Sequence, residues 1–285
     1  INNLLSKAQS TICPDKLLTN HKVVCVHQNK WTSVEIVLTK DARGWRCKFA
    51  VVAPSTNTIV QPDMDDLRVP GVTNHFGRIH VPNMRVSNDK EFVDLVEAIG
   101  ATLYDAVDRC TTSEPDYLIM GMSALMFWDG RKASEERMKQ LSDHCGLNVS
   151  AGSFACEAAL NLHGAKKIAV ISPYFPISDK NVTLFFQDCG FEVRRFRGLK
   201  CPSPVAIAQV QKETLRAHVA EMDGDDIDAF VQVGTNLSMC ELCLELEAEY
   251  GKPFVAINSA TYWHALRAMN IRDQFDGHGV LFSKH

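Results

Sequence analysis

Lys48-Phe49-Ala50-Val51-Val52-Ala53-Pro54 and Lys167-Ile168-Ala169-Val170-Ile171-Ser172-Pro173 share one pattern: a lysine, a short run rich in β-branched residues and a closing proline. Runs of this length bounded by turn residues read as buried strands. Tyr117-Leu118-Ile119-Met120-Gly121-Met122-Ser123 and Phe230-Val231-Gln232-Val233-Gly234-Thr235-Asn236 make a second matching pair. A third runs from Val149 to Leu160 and from Val255 to Leu266, with identities at Ser153/Ser259, Ala159/Ala265 and Leu160/Leu266. Any two strand-helix units share some texture, but three matches in the same order point to an internal repeat.

Working outward, strands are expected over 48–53, 72–81, 117–121 and 148–151, then over 167–172, 192–196, 229–233 and 254–257. Amphipathic stretches between them predict helices over 89–110, 134–145, 153–162, 179–189, 204–222, 238–250 and 259–269, several ended by glycine at 146, 164, 190 and 251. Strand alternating with helix is the signature of an α/β fold with parallel sheets. The expectation is two pseudo-symmetric lobes of about four parallel strands each, with a site in the cleft between them. The first lobe spans 45–163, with 263–285 packing back on it, and the second spans 164–262. Residues 1–44 show no sustained period and read as an N-terminal extension packed on the body.

A hydrophobic share of 46%, a charged share of 22% and a net charge of -4 without a basic stripe describe a globular protein and argue against nucleic acid as partner. No stretch reaches the roughly 18 to 20 apolar residues of a membrane helix. The ten cysteines are scattered through core-like runs rather than spaced as a disulfide framework, so a reducing, cytoplasmic setting is expected. The sequence begins at Ile1, which leaves open a segment upstream and any targeting signal in it.

In open parallel sheets ligands bind beyond the carboxyl ends of the strands. The loops there contain Pro54, Ser55 and Asn57, then Gly121, Met122 and Ser123, then Tyr174, then Gly234, Thr235 and Asn236. Ser, Thr or Asn after a single strand is commonly a plain helix cap, whereas four such loops at repeat-related positions form a candidate anion site. Cys240 and Cys243 are neighbours on one helix, and buried core is the ordinary fate of such thiols. No second pair or histidine at ligand spacing accompanies them, so no metal is expected. Cys156 with Glu157, His75 or Arg78 on opposite faces of one strand, and His264 are further cleft candidates. Asp129 reads as loop-forming, and Phe127 with Trp128 is expected to supply an apolar wall.

These loops carry a resemblance. Gly44-Trp45-Arg46 leading into Pro54-Ser55-Thr56-Asn57-Thr58, the strand and turn from Ala165 to Tyr174, Gly234-Thr235-Asn236-Leu237 and Tyr262-Trp263-His264-Ala265-Leu266-Arg267 are similar to the arylmalonate decarboxylase and maleate cis-trans isomerase branch of the aspartate/glutamate racemase superfamily. The resemblance covers nearly everything from Gly44 onward. It implies two facing flavodoxin-like lobes, no metal or organic cofactor, and action on a small carboxylate through an enolate-like or covalent intermediate. Racemases and isomerases of that superfamily carry one catalytic cysteine per lobe, and the decarboxylase keeps the second. Here Gly121, or Met122 under a one-residue shift, and Gly234 occupy those places. The expected activity is therefore a cofactor-independent isomerase, decarboxylase or lyase resting on a shell of donors, with Tyr174, Ser123, Thr235 and a relocated thiol at Cys240 as catalytic residues. Pro54, Ser55, Asn57, Gly121, Met122, Gly234 and Asn236 are expected to bind substrate. The alternative is a carboxylate-binding or regulatory protein that lost turnover with its cysteines. A homo-oligomer is left open.

Overall fold

The computed structural model describes Asn20–His27, Lys30–Val37 and residues 40–285. The chain divides into two compact units, Ile1–Ala42 and Arg43–His285. Within the first, β1 (Asn20–His27) pairs antiparallel with β2 (Lys30–Val37), in register from Asn20 opposite Val37 to His27 opposite Lys30. Of the expected extension, 1–19, 28–29 and 38–39 lie outside the described residues.

The second unit runs β3 (Cys47–Pro54), α1 (Val60–Asp66), β4 (Val72–Ile79), α2 (Asp89–Thr111), β5 (Tyr117–Met120), α3 (Ala124–Phe127), α4 (Gly130–Cys145), β6 (Val149–Ala151) and α5 (Gly152–Leu162). It continues with β7 (Lys167–Ser172), α6 (Pro176–Asp188), β8 (Glu192–Gly198), a 3-10 turn (Val205–Gln209), α7 (Lys212–Met222), β9 (Ala229–Gln232), α8 (Cys240–Tyr250), β10 (Phe254–Ala256), α9 (Ile257–Ala268) and α10 (Val280–Ser283). Two four-stranded parallel sheets result, in the orders β4-β3-β5-β6 and β10-β9-β7-β8. Numbered from the first strand of each half, both read 2-1-3-4, so the sequence repeat is a repeat of topology. The fold is α/β with two such halves in one compact unit.

Burial explains why these runs pair as they do. β5 is buried throughout, and so is β3 apart from Lys48, as in a parallel sheet covered on both faces. In the second sheet alternation sorts the side chains: Ile168, Val170 and Val231 join the core shared with the first half. Ala169, Ile171 and Phe230 face a separate cluster with Leu215, Val219 and Leu246. The shared core is what brings the carboxyl ends of the two sheets together. α9 follows the last strand of the second sheet yet packs on α5 and α1 of the first half.

The expected continuous helix over 204–222 is broken. Its first part is the 3-10 turn, Val210 and Gln211 are extended, and α7 starts at Lys212. Tertiary partners hold the start of that turn: the Pro204 carbonyl accepts from Asn236 Nδ2 at 2.9 Å and the Val205 N–H donates to Asn83 Oδ1 at 3.2 Å. α1 and the β1–β2 pair fall where no helical or strand period was read.

Candidate active site

In each sheet the chain changes direction between the first and third strands, β3/β5 and β7/β9, which is where an open α/β sheet offers a crevice. A cavity of about 60 Å³ lies there. At roughly 10 to 15 Å³ per water it has room for a few waters, the scale of a small organic acid. Pro54, Thr56 and Asn57 line it from the loop after β3, and Met122, Ser123 and Ala124 from the loop after β5. Tyr174 follows β7, and Gly234, Thr235 and Asn236 follow β9. One wall is apolar, formed by Phe92, Leu95, Val96 and Ile99 of α2 with Val81, Pro204 and Ile207.

Hydrogen bonds across the halves fix the polar wall. Ser123 Oγ and the Tyr174 hydroxyl are 2.6 Å apart. The Thr235 N–H donates to Ser123 Oγ at 3.3 Å, and Thr235 Oγ1 donates to the Gly121 carbonyl at 3.0 Å while accepting from Asn57 Nδ2 at 3.0 Å. Asn57 Oδ1 accepts from the Ile59 and Val60 N–H groups, which caps α1, and Arg78 donates to the Asn57 carbonyl. Whichever hydroxyl of the Ser123–Tyr174 pair donates to the other, one hydroxyl hydrogen remains for a ligand. Among the described residues the Met122 and Asn236 N–H groups meet no protein acceptor. Among the described residues Tyr174 is the one ionisable residue lining the cavity, and burial pushes its phenol above the usual range despite the Ser123 hydrogen bond. It is therefore a neutral donor at physiological pH. Such an arrangement can hold a carboxylate by neutral groups and stabilise negative charge that develops on it.

Several candidates sit elsewhere. Ser55 is exposed and exchanges hydrogen bonds with the Val81 backbone. Gly121 lies behind the lining, its carbonyl taken by Thr235. Cys240 does not line the cavity: its thiol donates to Asp63 Oδ2 at 3.2 Å, and burial raises its pKa well above the usual value. A relocated thiolate is thus not placed among the donors. Cys156 is fully buried and Glu157 pairs with Arg131. His75 meets Thr73, and His264, whose pKa burial lowers, bonds Ser150. The expected wall of Phe127 and Trp128 is corrected, since Phe127 packs on Phe185 and Phe186 in the core. α2 supplies that wall instead; its apolar face was legible as a helix face, but nothing in one sequence says which lobe it leans over.

A side chain at either glycine meets crowding, severe at Gly234 and milder at Gly121. Gly234 has φ +97°, and a Cβ there would lie 2.5 Å from Pro173 Cγ and Cδ. At Gly121 a Cβ would come within 3.1 Å of Ala53 Cβ and 3.2 Å of the Val52 carbonyl. Among the described residues no group of three or more His, Cys, Asp or Glu side chains could hold a metal ion, and no helix is long and apolar enough to cross a membrane.

The family model for arylmalonate decarboxylase matches residues 89–282, more than half of the 285-residue chain. The chain belongs to the arylmalonate decarboxylase family. Maleate isomerase from Pseudomonas putida is 26% identical over 247 residues, covering 83% of this chain and 97% of that protein. Among solved structures, Nocardia farcinica maleate cis-trans isomerase bound to TRIS superposes with TM-score 0.76 at 18% identity, over 83% of this chain and 98% of that one. Arylmalonate decarboxylase itself superposes with TM-score 0.65 at 18% identity, over 84% and 100%. At such identities the structural likeness shows the fold, which is that of this arylmalonate decarboxylase family member's two parallel sheets.

Proposed function

We propose that this chain is a cofactor-independent enzyme that decarboxylates a small malonate-type acid carrying an apolar substituent, through an enolate-like intermediate. The observation that carries the reading is the composition of the cavity: paired hydroxyls and free N–H groups on one side, the apolar face of α2 on the other, and among the described residues no lysine, arginine, cysteine or carboxylate in the lining. The apolar wall would receive the substituent and one carboxylate. Desolvated there, that carboxylate is disposed to leave as carbon dioxide. The electron pair of the broken carbon–carbon bond passes into the remaining carboxylate, whose oxygens the donors of Ser123, Tyr174, Met122 and Asn236 would stabilise. A proton from solvent, delivered to the α-carbon, completes the reaction; the Tyr174–Ser123 hydroxyl pair, 2.6 Å apart, would relay it, Tyr174 regaining its proton from water.

Isomerisation is the second reading, because the curated relatives are maleate isomerases. One Nocardia farcinica isomerase structure holds a succinylcysteine intermediate. A covalent route of that kind needs a thiol at the cavity, and none lines it among the described residues. Incubation with carboxyl-13C aryl- and alkylmalonates, maleate, aspartate, glutamate and hydantoins, followed by NMR, tests the proposal. Labelled carbon dioxide from a substituted malonate is expected. Fumarate from maleate, with the malonates intact, would replace it with the isomerase reading, and binding without turnover across the panel would favour a carboxylate-binding protein.

A further inference from the structure

Gly234, Thr235, Asn236 and Leu237 form a β-turn closed by the Leu237 N–H donating to the Gly234 carbonyl at 2.9 Å. The central peptide of such a turn has two orientations about 180° apart, both compatible with that closing bond; one of them needs φ above zero at the third residue, a conformation asparagine tolerates. Asn236 is not at positive φ, so the other orientation is present. The Thr235 carbonyl then accepts from Asn258 Nδ2 at 2.9 Å. Since a trans peptide points its C=O and N–H in opposite directions, holding the carbonyl on Asn258 turns the Asn236 N–H away from that side.

Asn258 is itself held from one side only. Its Nδ2 also donates to Asp63 Oδ2 at 2.8 Å, while its buried Oδ1 has no partner among the described residues. Facing two acceptors, a carbonyl and a carboxylate, the amide can be turned only one way, and Asp63 supplies half of that requirement. Burial raises the Asp63 pKa, and the Cys240 thiol joins Asn258 as a donor to the same oxygen.

We propose that Asp63, although outside the cavity, is a positioning residue: acting through Asn258, it locks the Thr235–Asn236 peptide in the orientation that presents the Asn236 N–H to the bound anion. What the N–H meets rests on the functional reading above; the lock on the peptide does not. Asp63→Leu and Asn258→Leu remove the two parts of the lock, and Asp63→Asn keeps an acceptor. Crystal structures of the two leucine variants are expected to show the central peptide rotated or in two orientations. For the malonate that the wild-type enzyme turns over, kcat should fall roughly 100-fold in each, as for loss of one oxyanion donor, with KM changed only a few-fold. The double variant should be little worse than either single, and Asp63→Asn should keep most of the wild-type rate. If Asn258→Leu does not fold, Asn258→Ala removes the same donor without adding bulk. An unchanged peptide in the folded variants overturns the proposal whether or not a substrate has been found. A rotated peptide with wild-type kcat overturns the role of the N–H. Absence of turnover by the wild-type enzyme would count against the functional reading alone.

Discussion

Tyr174 joins the apolar and polar sides of the cavity. Its ring packs on Phe92, with centroids 5.4 Å apart, while its hydroxyl reaches Ser123 at 2.6 Å. Replacing it with phenylalanine should leave the fold intact and lower kcat roughly 10- to 1000-fold. Steady-state kinetics beside a thermal melt check this. An unchanged rate in a folded protein would remove the hydroxyl from catalysis, and a pure rise in KM would reduce it to a substrate contact. Gly234 makes the opposite kind of prediction. At φ +97°, with Pro173 crowding the missing Cβ, Gly234→Cys should lower stability by about 1 to 3 kcal/mol, measurable as a lower denaturant midpoint. An unchanged midpoint would mean that the corner after β9 can open to accept a side chain.

Among the elements, the turn from β7 to α6 has a titratable brace. Ser172 Oγ donates to Asp179 Oδ1 at 2.5 Å and accepts from the Tyr174 N–H at 3.2 Å. Burial, with Asp89 nearby, pushes the Asp179 carboxyl up to about 6, against the opposing effects of Ser172 and Lys200. A raised carboxyl binds its proton more tightly folded than unfolded, so its stabilising share is complete below the unfolded value of about 4 and is lost as pH climbs through 6. Urea midpoints at pH 4 and pH 7 should therefore fall more steeply with rising pH in the wild-type protein than in Asp179→Asn; parallel profiles would contradict the assignment. α2, which supplies the apolar wall, is fixed at its start by Asn88, whose side chain accepts from the Glu91 N–H at 3.0 Å while Glu91 accepts from the Ser87 N–H at 2.7 Å. Asn88→Ala should cost about 1 kcal/mol in equilibrium unfolding. Local signals of this kind made most elements legible: β-branched runs marked β3 and β7, and Gly146 ended α4. The sequence was silent where distant partners decide, as at Pro204 and Val205, which Asn236 and Asn83 hold at the start of a short 3-10 turn, and at Cys240, which its helix turns toward Asp63 instead of the cavity.

For the whole molecule, the repeat read from two lysine-to-proline runs is the same 2-1-3-4 strand order in both sheets, and it explains why loops over a hundred residues apart meet. Asn57 and Thr235, joined at 3.0 Å, belong to opposite halves, as do Ser123 and Tyr174. What pattern alone did not reveal is the apolar side of the cavity, because which helix leans over a crevice depends on packing between the halves. The proposal that the two halves build one anion-stabilising site at this meeting is checked by a crystal structure of the protein with an arylacetate, the product expected from an arylmalonate. The carboxylate is expected between Ser123 and Tyr174 on one side and Thr235 and Asn236 on the other, with the ring on Phe92 and Val96. An arylacetate bound elsewhere with this cavity empty, or bound here with its carboxylate turned to the α2 wall, would contradict it.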